Sequence, residues 1–510
     1  MIDFERRHTL WTLALVLWAS TSLVSASQAP PSPPSDAEAR VALGRFMADR
    51  AAGGFSGVVI VARGGTVLLE RGYGFLDATK TVPAAADSVF TVGSITKQFT
   101  AAAILTLEMQ GRLSTADPIT KYLPGVPDDK RAITIHQLLT HTAGFAPVSG
   151  DDLEPIGRDA FLRLIMSRPL AHPPGAYEYS NVGYSVLAAI VELVSGRDYE
   201  SFLADQLFAP AHMSDTGYSR PKWARNRLAH GINDDGTDRG TFGEVAIPNG
   251  TPGWHLLGNG GILSTVGDMY RWHQALSGES VLDASAKAKM FRKWVDEGGG
   301  TSYGYGWSIE DTPFGRLVMH NGGNPFFFSD FLRYVDRDVV VYFSTNSRDR
   351  AMRRLARPLA QIALTGRVID APALTFTAVV SAAPSSGPAA RWNVPEGPAF
   401  AASARLLDAV AEPDAAKRRQ RVPDVFAPAL VERRGIDALV ELLGRLKGDI
   451  GSARLSRIEE SRDGSSAITA VRLHFTTPGR PAVALTLMLD PPVRSEGATR
   501  VAGIALELGD

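Results

Sequence analysis

Residues 90–110 read Phe90-Thr-Val-Gly-Ser94-Ile-Thr-Lys97-Gln-Phe-Thr-Ala-Ala-Ala-Ile-Leu-Thr-Leu-Glu-Met-Gln110, and within them the chain passes from a β-rich approach to a long helical pattern. Gly93 breaks the strand, and the apolar spacing beyond it is that of a helix. Ser94 and Lys97 lie three apart, so on a helix they share a face and their heads can meet. A helix start gathers free backbone N–H groups and the positive end of the dipole, which favour a developing alkoxide or oxyanion. Spacing alone is a weak signal, because Ser219-Arg-Pro-Lys222 shares it and Pro221 there argues for a loop. Ser94 would also serve as an ordinary helix cap.

Upstream, Phe55–Arg63 and Thr66–Arg71 are β-branched runs around Gly64-Gly65, the signature of a hairpin. Asp36–Arg50 before them predicts a helix. Downstream, helices and loops dominate to about residue 295, with Asn181–Ser195 and Thr265–Leu276 the clearest helices. Strand patterns return at Tyr303–Glu310, Arg316–His320 and Phe327–Thr345. Strands at both ends with helices between predict an α+β domain over residues 36–365. Its one mainly antiparallel sheet is flanked by helices, its chain ends meet, and a mainly helical subdomain is inserted.

Residues 366–400 carry linker composition, as in Ala382-Ala-Pro-Ser-Ser-Gly-Pro. Beyond it, Ile436, Leu439, Val440, Leu443 and Leu446 stripe one helix face. Alternating runs follow at Val471/Leu473/Phe475, Val483/Leu485/Leu487 and Ile504/Leu506/Leu508. The pattern over 401–510 is a small α+β domain, a helix on a curled antiparallel sheet, and it resembles cystatin-like or NTF2-like accessory domains. Lys417-Arg-Arg-Gln-Arg421 reads as a solvated helix face rather than a docking patch. There is no internal repeat.

At 510 residues the chain exceeds one ordinary core, so at least two domains follow. Hydrophobic residues at 45% and charged residues at 21% exclude collagen-like, wholly disordered and polytopic membrane chains. With 53 Lys and Arg against 54 Asp and Glu, the net charge of -1 argues against nucleic acid as a partner. The absence of cysteine removes disulfides, thiolate metal sites, a cysteine nucleophile and thiol lipidation. Residues 1–29 read as an export signal: Arg6 and Arg7 precede the apolar Leu10–Val24, and small residues offer cleavage after Ala26 or Ala29. A proline-rich mature start follows at 30–35. The expected location is exported, periplasmic or secreted from a bacterium, with no stable membrane insertion after processing.

Two further motifs accompany Ser94 and Lys97. Tyr179-Ser-Asn181 precedes an amphipathic helix, and His320-Asn-Gly322 closes a strand pattern. None of the other eleven tyrosines has Asn two residues on, and none of the other nine histidines has Gly there. Taken in order, Ser94-x-x-Lys97, Tyr179-x-Asn181 and His320-x-Gly322 resemble the three motifs of the serine β-lactamase and penicillin-binding-protein superfamily, specifically its class C-like branch. Ile133–Phe145 and Gly260–Asp268 look like that branch's helix-start signatures. The resemblance covers roughly residues 38–365.

It implies Ser94 as nucleophile, with Lys97 and Tyr179 as the basic apparatus. Asn181 would orient Lys97 and the substrate amide, while His320 and Gly322 would bind substrate. The backbone N–H groups of Ser94 and Gly323 would form the oxyanion hole. A lysine among donors and partly desolvated loses its proton more readily, and a phenol beside an ammonium does likewise, so either group would serve as base. The third motif usually begins with lysine in β-lactamases and cell-wall carboxypeptidases; histidine there looks like the esterase and D-aminopeptidase members. A mostly neutral His320 implies a weak preference for substrate carboxylates, rising as its ring protonates between about pH 8 and 6. Pro325-Phe-Phe-Phe-Ser329 adds aromatic bulk near the cleft.

Other residues suit structural roles. His136 and His141 lie five apart on one helical segment without a third ligand, so neither they nor any other set implies a metal. Asp268 reads as a capping-box acid with Ser264 or Thr265. Trp307 and Phe326–Phe328 suit core or pocket wall equally. No Gly-x-Ser-x-Gly elbow and no phosphate-binding glycine loop occurs, so no cofactor is implied. The reading is an exported serine hydrolase acting on a small ester, amide or peptide. β-Lactamase, D-Ala-D-Ala carboxypeptidase or D-aminopeptidase activity is the nearest alternative. A non-catalytic cell-envelope binding protein is the alternative of another class, disfavoured by the full Ser-Lys-Tyr set. No protein partner is indicated.

Overall fold

The computed structural model describes residues 33–508 apart from 234, 248–249, 251, 299, 348, 369–375, 382–397, 429, 432–435, 451–452, 463–467, 477–482 and 494–499. The expected export signal with Ala26 and Ala29, residues 30–32 of the proline-rich start and most of the expected linker lie outside the described residues.

Residues 36–365 are built on an eight-stranded antiparallel sheet. Its strands are β1 (Gly57–Arg63), β2 (Thr66–Tyr73), β3 (Val295–Gly298), β4 (Thr301–Tyr303), β5 (Ser308–Thr312), β6 (Gly315–Gly323), β7 (Phe328–Tyr334) and β8 (Val339–Thr345), in spatial order β2-β1-β8-β7-β6-β5-β4-β3. β1 pairs with β8 from Gly57↔Thr345 to Arg63↔Val339, so the two ends of the domain meet as the strand placement implies. The β1–β2 hairpin turns at Gly64 and Gly65, whose φ values of 56° and 75° are those a two-residue turn between twisted strands requires.

β1 is apolar at nearly every position because both faces are covered. Val58 and Ile60 enter one core, and Val59 and Val61 enter the other. Burying each such side chain is worth about 1.5–3 kcal/mol. The second core is closed by α1 (Asp36–Ala52) and the C-terminal helix of the domain, Ala356–Thr365. Ser35, the last residue of the proline-rich stretch, and Glu38 close a capping box at the start of α1. The first core holds α2 (Thr96–Met109), whose residues 96–107 are all buried, together with α3 (Asn181–Ser195) and α4 (Val266–Ser277). α2 is enclosed on every side, with its polar Thr96, Lys97, Gln98 and Thr100 buried as fully as its apolar residues. We number Ala356–Thr365 as α5.

Two expected strands divide. Tyr303–Glu310 is β4 and β5 separated by a turn at Gly304-Tyr-Gly306. Gly306 has φ 77°, and a Cβ there would lie 2.8 Å from the Lys97 carbonyl, so the interruption lets the sheet edge touch α2. Phe327–Thr345 is β7 and β8, joined by a tight turn in which Asp338 is left-handed. The expected Arg316–His320 strand instead runs on through the third motif to Gly323.

The C-terminal region has α6 (Pro398–Ala411), α7 (Ala415–Val425) and α8 (Ile436–Ile450). Against them lies a five-stranded antiparallel sheet in sequential order: β9 (Phe376–Ser381), β10 (Arg454–Arg462), β11 (Ile468–Thr476), β12 (Val483–Val493) and β13 (Arg500–Leu508). Leu439, Leu443 and Leu446 pack with Val471, Leu473, Phe475, Leu485 and Leu487. β9 falls in the stretch read as linker. Lys417, Arg419 and Arg421 are exposed on α7. No helix among the described residues is long and apolar enough to cross a membrane.

Candidate active site

Gly93-Ser-Ile95 forms a 3₁₀ turn leading into α2, and Ser94 caps nothing: neither turn nor helix has a side-chain cap bond. The turn is pressed against the end of β6. A Cβ on Gly322 would lie 2.0 Å from the Val92 carbonyl oxygen, and one on Gly93, whose φ is 55°, would lie 2.7 Å from the Gly323 nitrogen. Only glycine at both places lets the strand edge reach the serine turn. Asn181 opens α3, but Ser180 is its N-cap, accepting from the Gly183 N–H, so the Asn181 amide is left free to point elsewhere. It points at Lys97.

Lys97 is fully buried and bridges the motifs. Its Nζ lies 3.1 Å from Ser94 Oγ, 2.8 Å from Asn181 Oδ1 and 2.8 Å from the Asn259 carbonyl oxygen. It also sits over the Tyr179 ring at 4.7 Å and the Tyr184 ring at 5.7 Å. Burial holds its ammonium well below the usual lysine value, against the opposing pull of Asp152. Burial pushes the Tyr179 phenol up rather than down, against the lowering effect of the Ser94 hydroxyl. Lys97 thus shifts in the expected direction, whereas Tyr179 shifts the other way, because desolvation outweighs the Ser94 hydroxyl.

His320 is also placed differently from its expected role. It is buried, with Nε2 3.0 Å from the Tyr303 hydroxyl and Nδ1 2.6 Å from its neighbour Asn321's carbonyl oxygen. Nδ1 must therefore carry the proton and Nε2 accept, which leaves neither nitrogen for a substrate. Burial, and then the Lys97 charge, holds the ring down to about 3. Protonation between pH 8 and 6 is thus excluded by its surroundings.

Ser94, Asn181, Asn259 and Gly323 open onto a cavity of about 460 Å³. Phe242, Leu256, Phe326 and Phe327 supply an apolar wall; Asp151, Asp152 and Arg239 are its charged residues. Arg239 is exposed and stacks over Phe326 at 5.0 Å. Of the aromatics left open, Trp307 is core, Phe326 and Phe327 are wall, and Phe328 packs on Phe343 across the sheet.

The remaining residues find structural partners. The helix holding His136 ends at Leu139, so His141 is not on it. His141 is left-handed, accepts from the Ser180 N–H through Nδ1, and stacks on Tyr179 at 4.4 Å. Asp268 accepts from the Asp215 N–H, Thr216 and Arg271, while Thr265 alone caps α4. Ser219 donates to Glu200. Among the described residues no three or more His, Asp or Glu side chains gather to hold a metal. Sequence reading missed Asn259; its only trace is the glycine frame Gly258-Asn-Gly-Gly261, whose Gly258 and Gly261 are left-handed.

A family model described as Beta-lactamase matches residues 42–365. Penicillin-binding protein 4* of Bacillus subtilis is 29% identical over 343 residues, covering 62% of this chain and 74% of the relative. The crystal structure of a penicillin-binding protein from Bacillus halodurans aligns at 25% identity with a TM-score of 0.52, over 60% of this chain and 95% of that one. An octameric penicillin-binding protein homologue from Pyrococcus abyssi shares the fold at 19% identity and TM-score 0.54, over 91% of this chain and 97% of its own.

Proposed function

The chain belongs to the beta-lactamase family, and from that premise we propose that it is an exported serine hydrolase that cleaves an ester or amide through an acyl-enzyme on Ser94. One observation carries the reading: Lys97 Nζ lies 3.1 Å from Ser94 Oγ, held there by two acceptors, Asn181 Oδ1 and the Asn259 carbonyl oxygen, that take two of its N–H bonds. In its neutral form the amine has a lone pair with which to take the Ser94 proton. Burial favours that neutral form.

As Ser94 Oγ bonds to the carbonyl carbon, its proton passes to Lys97 Nζ and the carbonyl electrons move to oxygen. Backbone N–H groups of Ser94 and Gly323 face that oxyanion. Its collapse expels the leaving group, which takes a proton relayed by the Tyr179 hydroxyl from the Lys97 ammonium. Water then repeats the sequence on the acyl-enzyme and restores Ser94. The apolar wall of Phe242, Leu256, Phe326 and Phe327 suits a neutral acyl group, and His320 presents no cation. Export is supported by residues 1–29.

A second reading, a β-lactamase or D-Ala-D-Ala carboxypeptidase, is favoured by Arg239, a cation on the cavity wall that would hold a substrate carboxylate in place of the missing lysine. Intact mass after fluorophosphonate treatment, with peptide mapping, should place one adduct on Ser94; Ser94→Ala should lose both adduct and turnover at an unchanged melting temperature. Short neutral p-nitrophenyl esters should exceed nitrocefin at least tenfold in kcat/KM, about 1.4 kcal/mol. A better rate with nitrocefin, lost in Arg239→Ala, selects the second reading. Turnover surviving in Ser94→Ala sinks both, and an enzyme that is labelled but turns over nothing is the binding protein.

A further inference from the structure

Away from the Ser94 cavity, a second cavity of about 440 Å³ lies where the β6–β7 hairpin meets α4 and the short helix Ala284–Met290. Arg333 of β7 lies in its wall and is only 2% exposed. The guanidinium donates from Nε to His273 Nδ1 at 3.0 Å and from Nη2 to the His273 carbonyl at 3.3 Å and Ser277 Oγ at 3.1 Å, while Nη1 is buried without a partner. None of these partners is an anion. By accepting at Nδ1, His273 must be the neutral tautomer that donates from Nε2 to Asp338 at 3.1 Å; burial, with Arg333 adding to it, holds that ring down to about 4.

A buried guanidinium with no carboxylate in hydrogen-bond contact is costly, and the charge of Asp338 nearby offsets its desolvation only in part. Two more cations line the same cavity. Lys287 donates to the Gly278 carbonyl at 2.6 Å, and Arg316 makes no ion pair among the described residues. Among the described residues Asp338 is the one lining carboxylate, so their side chains carry three positive charges against one negative. Phe291, Leu276 and Val335 supply apolar surface beside them, with the Arg333 guanidinium 5.6 Å from the Phe291 ring centroid.

We propose that this cavity binds a small organic phosphate monoester, whose head engages Arg333, Arg316 and Lys287 while its apolar body lies on Phe291, Leu276 and Val335. A monoester carries about 1.5 to 2 negative charges at neutral pH, which matches the surplus of the wall better than a monocarboxylate does. Planar guanidinium groups also pair with two phosphate oxygens at once. Arg316 and Val318 lie on β6, the strand that ends in the third motif, so the occupant would sit at the far end of a catalytic element.

Isothermal titration of the full chain with phenyl phosphate at low salt tests this. Phenyl phosphate should bind, and the Arg316→Ala/Lys287→Ala double variant, altered only at the rim, should bind at least about tenfold more weakly with its melting temperature and ester turnover unchanged. Arg333→Lys, which keeps the charge and loses the fork, should also weaken binding. Benzoate separates charge from ring, and inorganic phosphate separates head from body; both should bind more weakly than phenyl phosphate. No measurable heat, or equal affinity in the double variant, overturns the site. Benzoate as tight as phenyl phosphate overturns the dianion, and free phosphate as tight overturns the ester in favour of an inorganic phosphate site.

Discussion

At His320 burial decides a charge that motif position left open, against the opposing hydrogen bond to the Asn321 carbonyl. Burial holds the folded ring down to about 3, below the ordinary value near 6.5, so between these limits the unfolded chain binds the extra proton. The stability tied to this group is therefore intact above pH 6.5 and falls as pH drops through that window. At pH 4.5 the loss is about 2 to 3 kcal/mol. Urea midpoints at pH 7 and 4.5 should show that penalty for the native chain and a smaller one for His320→Gln; equal slopes would mean the ring is not held neutral. By the same reasoning the ratio of carboxylate to ester turnover should stay flat from pH 8 to 6. Ser94 and Lys97 were legible because a helix start puts residues three apart on one face, and Tyr179 and Asn181 because the three motifs follow in order; the structure brings all four together. Asn259 was not, because what it gives Lys97 is a main-chain carbonyl, a group every residue carries.

Among the elements, the end of β6 and the serine turn depend on each other's lack of side chains. Gly322→Ala would drive a methyl into the Val92 carbonyl at 2.0 Å and into the Ser94 nitrogen at 2.6 Å, both of them backbone. Neither can swing aside, so the strand end must retreat from the turn. An ester assay should show at least a hundredfold loss in kcat, since displacement by about 1 Å costs on that order, with secondary structure retained by circular dichroism. Near-normal turnover would show that the approach is not needed. The sheet and its main helices could be read from periodicity, whereas the break between β4 and β5 could not: Gly304 and Gly306 sit in a run whose flanks both look like strand, and the reason for the break is α2, distant in sequence. β9 escaped notice for a related reason. Phe376-Thr-Ala-Val-Val-Ser381 is itself a fair strand, but the Pro, Ala and Ser around it set the composition of the whole stretch.

For the whole molecule, the position of β9 decides where the chain divides. α5 ends at a left-handed Gly366, φ 79°, whose N–H bonds back to the Ile362 carbonyl, a complete helix stop. The apolar clusters on the two faces of the large sheet share no residue with the cluster under β9–β13. Each region is long enough to bury a core of its own. A cut between 366 and 376 should therefore separate two folding units, whereas a cut at 400, the end of the expected linker, should strand β9 on the wrong piece. Residues 33–368 produced alone should keep ester kcat/KM within about threefold of the full chain, because every residue around Ser94 lies before the cut. Residues 369–510 should be monomeric and melt cooperatively. Residues 401–510 lack β9 and the first residues of α6, so the β10 edge loses its partner over Arg457–Ser461 and becomes an exposed template for association. Size-exclusion chromatography and calorimetry of the three fragments test this. If 401–510 proves as soluble and cooperative as 369–510, β9 is dispensable; if 33–368 is inactive though folded, the C-terminal region contributes to the site itself.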